Sequence, residues 1–209
     1  MNNNKPLFFV FIIFFFASCA SKTYLFTSGP RSGVDFTSGR WLLNELDCPS
    51  KSKDKLTEES LTFFKKNLGE RVFYIHDVSG LLVTRKIPLN PSKTKLKELK
   101  DGTGFDFFIN ISTKKNKSDL FAIELYQTDN EVGKNEASVL VEIYDLNSQE
   151  IIYSQNVVGV VRKTKNESVW GTEKSDKLID NIDFYKTSNK LMAGALKKIF
   201  KDLEKRSVK

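Results

Sequence analysis

A chain of 209 residues with 40% hydrophobic and 12% aromatic residues has enough apolar material for one full-sized core, which excludes a disordered polymer. Its formal charge of +7 is uneven: residues 51–100 carry about +6, residues 101–150 about −6 and residues 151–209 about +6. One histidine and two cysteines cannot build a zinc site of the usual composition, and Gly102-Thr103-Gly104 lacks the third glycine of a phosphate loop and precedes a strand.

The chain opens with Met1-Asn2-Asn3-Asn4-Lys5, a polar stretch whose only charge is positive, followed by the Phe-rich apolar run Leu7–Ala17. That order is a signal peptide. At 1.5 Å per residue the run covers about 17 Å, too little for a hydrocarbon core of about 30 Å. It closes on Phe16-Ala17-Ser18-Cys19, an apolar residue and two small ones before a cysteine, which is the pattern of a lipoprotein signal. Residues 1–18 are therefore expected to be the signal peptide and Cys19 the lipidated residue; ordinary cleavage after Ser18, leaving a free thiol, is the alternative. Several acyl chains anchor stably where one does not, so the membrane is the first expected partner. Ala20 stands where Asp would signal inner-membrane retention, and no acidic export run follows, so the expected location is the periplasmic face of an outer membrane.

Residues 19–40, rich in Ser, Thr and Gly, read as a lipidated tether; Tyr24, Phe26 and Phe36 leave open an edge strand instead. A single globular domain is expected over 41–209. Trp41–Leu46 reads as a strand ended by Asp47-Cys48-Pro49-Ser50. With Cys19 acylated, Cys48 has no partner within the chain and is expected to be a buried thiol, the alternative being a bond to another chain. Thr57-Glu58-Glu59 offers a helix start, Leu61, Phe64 and Leu68 a helical stripe, and Gly69 a stop. Arg71–Val78 is the next strand; strand–helix–strand at this length predicts a parallel crossover. Leu81–Asn90 reads as a loop, and Ser92–Lys100 as a short basic helix before Asp101-Gly102-Thr103-Gly104.

From Phe105 the apolar period becomes two. Segments around Phe105–Ile111, Phe121–Leu125, Val139–Ile143 and Ile151–Val161 predict a four-strand antiparallel meander. After a polar loop from Lys163 to Asp180, a final helix from about Asp183 to Glu204 carries Met192, Leu196, Ile199 and Leu203 on one stripe. The expected fold is thus α/β (α+β): one mainly antiparallel sheet with an N-terminal strand–helix–strand crossover, a four-strand meander, and a C-terminal helix packed on one face.

Two stretches carry a resemblance. Leu99–Ser112 is similar to a helix, Gly, Asp and apolar strand ending in a small polar residue; Val139–Ile152 resembles paired strands joined through an Asp-centred turn, with Gln149 where a glycine is usual. Both resemble the envelope proteins that share the fold of the TolB N-terminal domain, LpoB and CsgG. That resemblance implies a non-catalytic module that binds another envelope protein or associates with itself; apart from it, the missing motifs lead to the expectation of no cofactor, and the exported address to that of no nucleic-acid partner. An alternative reading is binding of anionic cell-wall polymer or lipid through the basic helix face of Lys93, Lys95, Lys97 and Lys100, the densest cationic cluster. A second alternative is an envelope hydrolase, which would have to use His76, expected inside a strand.

Overall fold

The computed structural model describes residues 22–27, 32–79, 87–116, 134–162 and 177–208. In chain order these form β1 (Lys22–Phe26), β2 (Trp41–Leu43), α1 (Ser50–Leu68), β3 (Val72–Tyr74), α2 (Lys93–Thr103), β4 (Phe107–Asn116), β5 (Lys134–Asp145), β6 (Glu150–Arg162) and α3 (Lys177–Arg206). One six-stranded sheet runs in the order β1-β6-β5-β4-β2-β3. β2 is parallel to both β3 and β4, so α1 and α2 each serve a parallel crossover, while the other neighbours are antiparallel.

Strand alternation sends apolar side chains to both faces. Trp41, Leu43, Ile109, Val141, Ile143 and Val157 face α1 and α3, whose Phe64, Leu196, Ile199 and Leu203 complete the larger core. On the opposite face Leu42, Phe108 and Tyr144 pack with Leu96 and Leu99 of α2 and with Ile75, Ile87 and Phe105. The C-terminal helix packs on the sheet as the apolar stripe requires, with Met192, Leu196, Ile199 and Leu203 all buried.

Three expectations change. β4 pairs directly with β5 from Phe107↔Asp145 to Asn116↔Glu136, so the described meander has three strands; the strand expected at Phe121–Leu125 lies outside the described residues. Helix α1 begins at Ser50, seven residues before Thr57, because its buried stripe is Ser52, Leu56, Ser60, Phe64 and Leu68, and the serines conceal the period. The expected tether supplies part of the fold. Lys22–Phe26 pairs antiparallel with β6, and Val34 and Phe36 are buried beside the C-terminal residues, with Val208 N–H donating to Val34 O at 3.0 Å and Phe36 N–H to Val208 O at 3.0 Å.

That N-terminal piece is fitted by two glycines. Tyr24 lies between β6 and α3: a Cβ built on Gly194 would stand 1.9 Å from its hydroxyl, and one on Gly159 would stand 3.0 Å from its ring. The helix ends follow the sequence. Ser92 caps α2 by accepting from Lys95 N–H at 3.3 Å, and α2 stops at Gly104, left-handed at φ 68°, the last residue of the Asp101-Gly102-Thr103-Gly104 run, so the helix extends three residues past Lys100. The stretch before α2 is tied to the sheet by Asn110 Nδ2, which donates to Pro88 O at 2.9 Å, and by Asn90 N–H, which donates to the Tyr144 hydroxyl at 3.1 Å. That hydroxyl in turn donates to buried Glu142 at 2.6 Å.

Candidate functional site

The polar residues with the most organised geometry gather where the parallel strands end. Leu43 of β2 pairs with Tyr74 of β3, so Glu45 and His76, each two residues further on, come side by side. His76 Nε2 and Glu45 Oε2 are 3.0 Å apart. The other Glu45 oxygen accepts from Lys53 Nζ of α1. Tyr74 lies edge-on to the His76 ring at 5.1 Å. The hydrogen bond from Lys53 is the main cause that holds the Glu45 carboxyl below its ordinary range; partial burial opposes it and His76 assists. Glu45 reciprocally raises Lys53, while burial and the Glu45 charge push the Tyr74 phenol up. Lys53 and Tyr74 open onto a shallow groove of about 450 Å³ along α1, lined also by Asp54, Thr57, Leu61 and Thr62.

His76 was expected inside a strand; it sits in the turn after β3, which is only three residues long. Its neighbours Glu45, Lys53 and Tyr74 were not among the residues the sequence singled out. Chemically, an imidazole against a carboxylate can exchange a proton with solvent. Both Glu45 oxygens are already engaged, however, and among the described residues no hydroxyl or thiol is hydrogen-bonded to His76. Cys48, expected to be buried, is half-exposed.

A second groove, of about 490 Å³, lies between α1 and α3. Its floor is aromatic: Phe63 stacks on Phe200 with ring centroids 4.1 Å apart, and beneath them the fully buried Phe64 meets Phe200 edge-on at 5.5 Å. Its rim is charged, with Lys66 to Glu204 at 2.8 Å and Lys197 to Glu59 at 3.6 Å joining the two helices. Aromatic floor and polar rim are the composition of a protein-binding surface.

The basic helix face is real but largely compensated. Lys93 faces Glu150 at 3.9 Å, Lys95 pairs with Glu98 at 2.9 Å, and Lys100 pairs with Asp106 at 2.7 Å; Lys97 is exposed with no ion pair among the described residues. Asp106 is kept below the ordinary carboxylate range chiefly by Lys100 and then by Arg40 N–H. Cys19 lies outside the described residues. Among the described residues no group of three or more His, Cys, Asp or Glu is placed to hold a metal, and no helix is long and apolar enough to cross a membrane.

No protein-family model matches the chain, and no curated protein does. Solved structures similar to it include lipoprotein GNA1162 of Neisseria meningitidis, at 12% identity and TM-score 0.39 over 73% of this chain and 97% of that one. A PelC dodecamer from Paraburkholderia phytofirmans matches at 11% identity and TM-score 0.40 over 88% and 98%, and the LpoB C-terminal domain from Escherichia coli at 14% and 0.33 over 66% and 88%. At these identities and TM-scores, none of them says what this chain does.

Proposed function

We propose that this chain is a membrane-anchored envelope lipoprotein that works as a non-catalytic binding or accessory subunit of an envelope protein complex. The observation that carries the reading is Phe16-Ala17-Ser18-Cys19 at the close of an apolar run too short to span a bilayer. The aromatic groove between α1 and α3, bordered by charges of both signs, supports a protein partner over a polyanion. The carboxylates paired with Lys93, Lys95 and Lys100 leave little free charge for anionic polymer on that helix, and engagement of His76 by Glu45 supports a structural role for the histidine.

Two measurements test it. Metabolic labelling with a palmitate analogue should mark the native chain and not Cys19→Ser; label retained by the serine variant, or absent from both, refutes the anchor. Cross-linking in intact cells followed by mass spectrometry should return one specific envelope protein or a second copy of this chain, with linked lysines around Lys66, Lys197 and Lys201. Repeated failure under conditions that capture other envelope complexes refutes the binding role.

A further inference from the structure

The strand β1 begins at Lys22, three residues after Cys19, and its first pairing is Lys22↔Val161. Three residues span at most about 10 Å even when fully extended. An acylated Cys19 therefore leaves no slack: the end of the sheet at which β1 starts is held within about one Debye length, roughly 8–10 Å, of the lipid headgroups. Resting on the lipoprotein reading, we infer that this end of the sheet is a docking surface for an anionic lipid bilayer, and that the domain stands on the membrane in one fixed orientation.

The residues gathered there fit that partner. Antiparallel pairing brings the start of β1 and β5 together with the finish of β4 and β6, through Lys22↔Val161, Lys134↔Arg162, Lys114↔Ser138 and Lys115↔Ala137. Within the last few rungs stand Lys22, Lys114, Lys115, Lys134 and Arg162, and the one carboxylate among these rungs is Glu136. Cations beside an anionic leaflet each strengthen attachment by about fivefold. The opposite end of the sheet, at the turn Leu146–Gln149, is about 37 Å away along the twelve residues of β5. Lys93 of α2 reaches Glu150 there. The α2 lysines thus stand at the end remote from the bilayer, and the register places the five basic residues of the strand ends, scattered along the chain from Lys22 to Arg162, at the end nearest it.

The full mature lipidated chain, in a Cys48→Ser background, should be reconstituted with vesicles carrying a headgroup spin label. A fluorophore is placed at Thr23→Cys, exposed on β1, or at Ser148→Cys, exposed in the distal turn. On phosphatidylglycerol-rich vesicles the Thr23 position should be strongly quenched and the Ser148 position not. The contrast should shrink on pure phosphatidylcholine, in about 1 M salt where the Debye length falls to about 3 Å, and on replacing Lys22, Lys114 and Lys115 together by Gln. Equal quenching at both ends, or a contrast indifferent to lipid charge and to the triple variant, overturns the docking surface while flotation with the vesicles upholds the anchor. Failure to float on either lipid overturns the anchor, and the orientation falls with it.

Discussion

Replacing Gly194 by alanine should destabilise this protein, although the same change in an isolated helix gains about 1 kcal/mol. A Cβ on Gly194 would stand 1.9 Å from the Tyr24 hydroxyl and 2.5 Å from its Cζ, and the ring is flanked on its other side by Gly159 of β6, where even an added Cβ would come within 3.0 Å of it. Tyr24 must then swing out of the gap between β6 and α3. The ring is half-buried, so its exit exposes about 100 Å², worth about 2.5 kcal/mol at about 25 cal/mol per Å². Subtracting the helix gain leaves a net loss of about 1.5 kcal/mol, or about 3–6 °C in Tm for a domain of this size. With Tyr24→Ala already made, the clash is gone and Gly194→Ala should raise Tm by about 2–4 °C. Urea and thermal unfolding of the four proteins, followed by circular dichroism, give the cycle directly, with a coupling of about 2.5 kcal/mol. Stabilisation by Gly194→Ala while Tyr24 is present, or the same shift in both backgrounds, would refute the packing of β1 against α3.

Gly33→Ala places a Cβ 2.1 Å from the Arg206 carbonyl oxygen, backbone against backbone, and should cost about 1–3 kcal/mol in chemical denaturation; an unchanged midpoint speaks against the clamp between the chain's two ends. Glu45 titrates below its unfolded value of 4.5 mainly because of Lys53, so its stabilisation is present above that pH and drains as pH falls through the lower folded value. The Tm difference between the native chain and Glu45→Gln should therefore narrow on acidification from pH 5 towards pH 3, and parallel profiles would contradict the contact. Asp106→Asn loses the Lys100 ion pair at 2.7 Å and weakens acceptance from Arg40 N–H at 2.9 Å, and should cost about 1–2 kcal/mol at neutral pH, less in acid. Replacing Lys93, Lys95, Lys97 and Lys100 together by Gln should leave cosedimentation with cell-wall polymer unchanged; a salt-sensitive loss would restore the polymer-binding alternative.

The meander strands and the closing helix were legible because their apolar residues recur at two and near 3.6 with little interruption, from Phe107 to Ile111 and from Met192 to Leu203. The start of α1 was not, since Ser52 and Ser60 occupy buried positions that a hydrophobic pattern assigns to solvent. β1 was legible only as an alternative: Tyr24 and Phe26 allowed an edge strand, but a Ser, Thr and Gly-rich surround reads as linker, and the partners that make Tyr24 structural, Gly159 and Gly194, are separated from it by most of the chain. Glu45 and His76 lie 31 residues apart and meet only through the register Leu43↔Tyr74; given that pairing, their equal offset past two parallel strands predicts the contact. Lys93–Lys100 drew attention as a run of charge; Asp106, six residues past Lys100, is a near neighbour in sequence, but Glu150, which Lys93 faces, comes from β6, an element that chain order does not place beside α2.

The contacts that hold residues 22–36 also set an order of events. Lys22 waits for Val161, Tyr24 for Gly194, and Val34 for Ser207 and Val208, so the stretch nearest Cys19 finds its partners only after almost all of the chain has emerged. Contacts this distant in sequence form late, since the loop between them must close first. On the lipoprotein reading, Lys22–Phe26 is thus still unpaired while the neighbouring Cys19 is processed, and it joins β6 only once the last strand and the C-terminal helix have arrived. Truncation near Ser207 would therefore act at the opposite terminus, leaving the anchor-proximal segment exposed to proteases long after synthesis is complete.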